Sequence, residues 1–214
     1  LNFLVTNQTD PAIDELTRAA AAAGDPLEIH LILGNLYREK GQVGRAIQEH
    51  QKLLQRPDLR KLEHANVLLC LGLDYKRGGF GDRALEAFTE VLRLDPENQY
   101  ALSNLEKLYE EQHQWAEAYA TRRKLAQQDT ATSQARHQEI LAFLDNELGL
   151  AALKRTDYAE AARRFEAAEA ACVAEAQRHA EVDRFAARFL RQQRDLHAVA
   201  KREALCARVE VRRR

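Results

Sequence analysis

The stretch LGLDYKRGGFGDRALEAFTEVLRLDP, residues 71–96, decides how this chain folds. Tyr75 follows Gly72 by three residues, Ala84 follows that Gly by 12, Phe88 comes four later, and Pro96 eight after the Phe. Gly78-Gly79 stands midway, where a pair of glycines ends one helical pattern and permits a tight turn into the next. The unit therefore reads as a helical hairpin, helix A then helix B, with no strand pattern in it.

The same frame appears upstream in LGNLYREKGQVGRAIQEHQKLL, residues 33–54, with Gly34, Tyr37 and Ala46 in register. It recurs at Leu105, Tyr109 and Ala118, and again at Leu148, Gly149, Ala161 and Phe165; a partial unit opens the chain with Ala12 and Leu16. The small residue of helix B falls at Ala12, Ala46, Ala84, Ala118 and Ala161, with successive gaps of 34, 38, 34 and 43. A 34-residue period with this pattern is that of the tetratricopeptide repeat (TPR). The two longer gaps put insertions at residues 59–64 and around 130–136, read as longer first helices or connecting loops. The predicted fold class is all-α, a TPR right-handed α-α superhelical solenoid with a C-terminal amphipathic capping helix. Residues 1–173 form the array (a partial first repeat plus about four repeats) and residues 174–214 a separate Arg/Ala-rich helical segment.

Packing explains the spacing. Gly34, Gly72 and Gly149 sit where helix A presses on its own helix B, so a side chain there would hold the backbones apart. Tyr37, Tyr75 and Tyr109 fill the layer one turn on. Gly41 and Gly78-Gly79 supply the A–B turns, with His113-Gln114 at the corresponding place in a later unit. Asp10-Pro11, Asp25-Pro26 and Asp95-Pro96 each predict a helix start, a capping carboxylate followed by proline at the first helical position.

The composition agrees and excludes alternatives. The 214 residues contain only 9 Gly and 4 Pro, and the charged 30% balances to a net charge of -1, which supplies no general pull toward nucleic acid. Cys70, Cys172 and Cys206 are scattered without a CxxC pair, which argues against a disulfide framework and a zinc site and for a reducing compartment. Cys70, inside VLLCLGL, reads as a small buried hydrophobe. The seven histidines make no HExxH; His30 and His50 take repeat packing or surface positions. There is no phosphate-binding glycine loop, dinucleotide fingerprint or GxSxG elbow, so the sequence carries no enzyme signal and implies no cofactor. No stretch reaches the apolar length of a membrane span.

The frame weakens toward the C-terminus. Residues 174–214 lack Gly and Pro and hold 11 basic against 6 acidic side chains. Val182, Phe185, Ala186, Phe189, Leu196 and Val199 recur at helical spacing, which predicts a long or once-broken helix packed on the last repeat. The terminal Arg run reads as a solvated end.

In a TPR array the A helices line a concave face. The frame nominates Leu31, Asn35, Arg38, Asn66, Leu69, Leu73, Lys76, Tyr100, Ser103 and Lys107 as its outward positions, an apolar, amide and cationic mixture suited to an extended or helical peptide. Asn35 matches the asparagine of the carboxylate-clamp subclass, but Leu31 and Leu69 stand where the clamp lysine belongs, which disfavours that mode. Exposed solenoid ends also allow self-association into a homo-oligomer.

The opening repeats are more specific than a generic TPR. LNFLVTNQTDPAIDEL, residues 1–16, and HLILGNLYREKGQVGRAIQEHQKLL, residues 30–54, resemble the lipopolysaccharide assembly protein B family of Gram-negative bacteria. That resemblance implies a parent with an N-terminal membrane anchor, a cytoplasmic TPR array and a rubredoxin-like metal module. It implies an adaptor on the cytoplasmic face of the inner membrane that presents the lipid A deacetylase to a membrane-bound AAA protease. The paired cysteines of the metal module are not in this sequence, so the resemblance extends to the repeats alone. The alternative is a generic TPR scaffold of another multiprotein complex.

Overall fold

The computed structural model describes residues 9–22, 26–129, 133–178, 192 and 195–200. Its described helices are α1 (Thr9–Ala22), α2 (Leu27–Glu39), α3 (Val43–Leu54), α4 (Lys61–Arg77), α5 (Gly81–Leu94), α6 (Gln99–Glu111), α7 (Trp115–Gln128), α8 (Gln134–Lys154) and α9 (Tyr158–Arg178). No strand occurs among the described residues. The chain divides into two compact units, Leu1–Leu108 and Tyr109–Arg214.

In the first unit α1 packs on α2, α2 on α3, α3 on α4 and α4 on α5, while α2 and α4, the A helices of successive repeats, also touch. In the second, α7 packs on α8 and α8 on α9. The frame alanines are the tightest points: Ala46, Ala84, Ala118 and Ala161 are completely buried. Four residues after three of them come His50, Phe88 and Phe165, also completely buried, and each meets the frame glycine of its own repeat. A Cβ on Gly72 would lie 2.6 Å from Phe88 Cε1, and one on Gly149 2.6 Å from Phe165 Cε1; Gly34 is pressed in the same way by the His50 ring. In the third repeat the glycine position is Glu106, itself buried.

The four A–B turns among the described residues are built alike. The amide of Gln42 donates to Tyr37 O (2.8 Å), Phe80 to Tyr75 O (2.9 Å), Gln114 to Tyr109 O (2.8 Å) and Asp157 to Ala152 O (3.0 Å), closing a Schellman-type end. Each turn needs one left-handed residue: Gly41, Gly79, His113 and Thr156, with φ of 74°, 77°, 57° and 62°. His113 therefore does turn the chain as the frame requires, and Thr156 does so with a β-branched side chain.

The insertions are longer A helices: α4 has 17 residues and α8 has 21, against 13 in α2. The helix starts differ from the Asp-Pro expectation. Asp10 lies within the first turn of α1, and Pro26 rather than Asp25 precedes α2. At α6 the cap is Asn98, whose Oδ1 accepts the amide of Ala101 at 3.0 Å and whose Nδ2 donates to Asp95. Asp95 instead ends α5. At this one connection Asp95-Pro96 marks the link between helices, and the capping side chain, Asn98, sits three residues after the Asp.

Most of 174–214 lies outside the described residues, including the positions at 182–189. The helical stretch 195–200 packs on α8 and α9, with Leu196 and the buried Ala200 joining Ala152, Ala161 and Phe165. Val199, expected on the packed face, is instead 51% exposed.

Candidate functional site

The face outlined by the A helices of the first unit is built from the bottom of the frame upward. Once Gly34 and Gly72 are pressed against helix B, the residues three and six before each glycine, and one and four after it, turn away from that contact. On α4 these are Asn66, Leu69, Leu73 and Lys76; on α2, Leu31, Asn35 and Arg38; on α6, Tyr100, Ser103 and Lys107. None of the ten is buried: Asn66, Tyr100 and Lys107 are exposed and the rest half-buried. Tyr100 is the extreme, 75% exposed.

Two of the polar members are committed within the fold. Arg38 Nη1 donates to Asp74 Oδ1 at 2.8 Å, and its Nη2 to Asn35 Oδ1 at 2.7 Å. The second oxygen of Asp74 is 2.5 Å from His50 Nδ1, and both Asp74 and His50 are completely buried. An unpaired carboxylate at that depth would be strongly disfavoured; here a guanidinium and an imidazole hold it. Arg38 and Asn35 therefore brace α2 against α4. Lys76 Nζ reaches Asn104 Oδ1 at 3.5 Å.

Sequence reasoning missed two exposed apolar residues. Leu62, one turn before Asn66 on α4, is 73% exposed and continues the same stripe. Phe143, 44% exposed, stands six residues before Gly149, the frame position of Asn66 and Tyr100. Extending the frame to the fourth repeat and one turn back on α4 would have found both. In the second unit the Phe143 ring is edge-on to Trp115, with centroids 6.2 Å apart.

Charge elsewhere is locally paired. Burial alone would raise Glu49, but hydrogen bonds from Lys52 and His30 outweigh it and hold this carboxyl below its usual value. In the second unit Asp145 goes the other way: burial raises it despite its bond with Arg164 at 2.8 Å. Cys70 is buried, which pushes its thiol up to about 11 and leaves it unreactive as a nucleophile. Among the described residues no cluster of His, Cys, Asp or Glu could hold a metal ion, and no helix is long and apolar enough to cross a membrane.

The repeated hairpins and their shared turn define the chain as a tetratricopeptide-repeat protein. Solved structures agree at the level of fold. A crystal structure of MamA superposes with a TM-score of 0.57 at 19% identity, covering 82% of this chain and 95% of that one. A tetratricopeptide repeat protein from Parabacteroides merdae gives 0.59 at 18% identity, covering 94% and 73%. Pseudomonas aeruginosa PilF gives 0.56 at 20%, covering 76% and 68%.

In sequence this TPR protein resembles lipopolysaccharide assembly protein B. It is 34% identical to the Escherichia coli K12 protein over 118 residues, 55% of this chain and 30% of that protein. It is 30% identical to the Haemophilus influenzae protein over 134 residues, 59% of this chain and 34% of the relative. The match thus spans about a third of the length of these curated relatives. No family model matches the chain.

Proposed function

We propose that this chain is a non-catalytic scaffold that holds other proteins on the A-helix face of its first unit, in the service of lipopolysaccharide assembly. The observation that carries the binding role is the stripe on α4. Leucines 62, 69 and 73 are left partly or largely exposed in one row, and a contiguous apolar stripe marks an interaction site where single scattered apolar residues do not. The lipopolysaccharide role rests on the similarity to lipopolysaccharide assembly protein B. In its finer form the chain presents the lipid A deacetylase to a membrane-bound AAA protease, from the cytoplasmic side of the inner membrane. The described stretch 195–200 is read as part of a cap on the last repeat, supported by Leu196 and Ala200 packed with α8 and α9.

The test is affinity capture from a Gram-negative lysate, using the chain beside a Leu62→Ser/Tyr100→Ala/Lys107→Glu variant. These substitutions sit on exposed side chains; Arg38 and Asn35 are left intact because they brace the array. Recovery of the deacetylase or the protease by the parent and its loss with the variant supports the adaptor reading. Equal capture by both baits places binding elsewhere, and capture of neither enzyme leaves a TPR scaffold of another complex.

A further inference from the structure

We infer that the partner segment docked on α4 is an amphipathic helix lying antiparallel to it, with leucine-type residues on one stripe and carboxylates in its first turn. The inference rests on the reading of this face as the docking surface. Leu62, Asn66, Leu69, Leu73 and Lys76 follow one another by 4, 3, 4 and 3 residues, the seam spacing with which one helix packs along another. From Leu62 to Lys76 the seam runs roughly 21 Å, about four helical turns. The neighbouring A helices lie beside it: α2, which carries Leu31, touches α4, and α6, which carries Tyr100 and Ser103, is reached by Lys76 through Asn104 at 3.5 Å.

The seam is not symmetric end to end. Its start is apolar and open, with Leu62 and Tyr100 each about three-quarters exposed. Its end carries Lys76, the exposed Arg77 and, on α6, the exposed Lys107. Of the nearby acids, Asp74 is buried against Arg38 and His50 and Glu63 at the opposite end caps α4 through Arg60, while Glu39, at the frame position of Arg77 on α2, is exposed. Glu110, one turn past Lys107 on α6, offsets part of the positive charge, so this end sets orientation more than affinity. A helix favours acidic side chains in its first turn, where its own dipole is positive. Running antiparallel to α4 brings that turn to the lysines, and brings the partner's positive end to the negative C-terminal end of α4.

Two synthetic peptides of roughly five turns test this. Both carry the same leucine seam; one has Glu in its first turn and Lys in its last, and the other has these exchanged. Binding to the full chain is read by fluorescence anisotropy. The Glu-first peptide is expected to bind about fivefold more tightly, the effect of two weak ion pairs, one at the exposed Lys107 and one at the half-buried Lys76. In Lys76→Glu/Lys107→Glu that order inverts, and in Leu62→Ser/Tyr100→Ala both peptides weaken together. Equal affinities, weakened together by Leu62→Ser/Tyr100→Ala, overturn the antiparallel acidic helix while leaving the face as a docking surface. Binding indifferent to Leu62→Ser/Tyr100→Ala, or no binding by either peptide, overturns the inference and counts against the face itself.

Discussion

His50 Nδ1 lies 2.5 Å from Asp74 Oδ2, and neither side chain has any exposed surface. The pair joins helix B of the first repeat to helix A of the second, and Arg38 adds helix A of the first through the other carboxylate oxygen. The stack of two repeats is thus pinned by a buried polar junction as well as by leucine packing. Asp74→Ala strands a buried imidazole and a guanidinium together, and should cost about 3–5 kcal/mol. His50→Phe is milder, because Phe88 and Phe165 already pack on frame glycines in the same way. Asp74 then keeps Arg38 and loses one bond, about 1–3 kcal/mol. Urea unfolding of both variants checks the order; His50→Phe as damaging as Asp74→Ala would mean that ring shape, not the polar junction, matters.

The glycine–aromatic contact has its own signature. Gly72→Ala places a Cβ against the Phe88 ring, in contact too close to keep, and overpacking of this kind costs about 1–3 kcal/mol. Phe88→Leu alone leaves a void and is also destabilising. Combined, the smaller side chain yields the space the new methyl needs, so the double variant should lose less than the two single losses added. A double-mutant cycle on melting temperature measures this, and strict additivity would show that the two residues do not share the site.

Much of this was legible because packing in a repeat is periodic. Ala46, Ala84, Ala118 and Ala161 could be aligned by counting, and all four prove completely buried. The turn glycines were legible for the same reason. Thr156 was not, because its sequence carries no turn signal; the frame forces it into a left-handed conformation that its side chain resists. The junction at Asp74 was invisible for a different reason. Asp74, Arg38 and His50 lie on three helices, and no local pattern announces that their side chains meet. Among the candidate binding positions, Asn35 and Arg38 looked like outward polar residues, and only their distances reveal that they face Asp74 and each other.

Thr156 and His113 make a prediction of opposite sign. A left-handed residue with a side chain costs about 1–2 kcal/mol, and Gly in the unfolded chain returns about 0.5–1 of that as entropy. Thr156→Gly should therefore stabilise by about 0.5–1 kcal/mol, with His113→Gly somewhat less favourable because its ring also stacks toward Trp115, centroids 5.2 Å apart. Differential scanning calorimetry reads both. A lower melting temperature for Thr156→Gly would show that the turn is held by the threonine side chain and not merely tolerant of it.

Asp145 predicts a pH dependence. Burial raises its carboxyl above the ordinary value, against the opposing pull of the Arg164 guanidinium. The folded chain therefore takes up this proton at higher pH than the unfolded chain does. Between the raised folded value and the ordinary one, falling pH favours the folded state at this site, and rising pH removes that contribution. Asp145→Asn cannot take up the proton, so it forgoes the gain that the parent makes on acidification. Relative to the parent, the variant should rank higher at about pH 7 than at about pH 4. Glu49 shifts in the opposite sense and is present in both chains, so it cancels in the comparison. Melting curves of the two proteins across that range decide it: a difference that stays constant would mean that the Arg164 pair balances burial at Asp145, and one that favours the variant more in acid that the pair outweighs it.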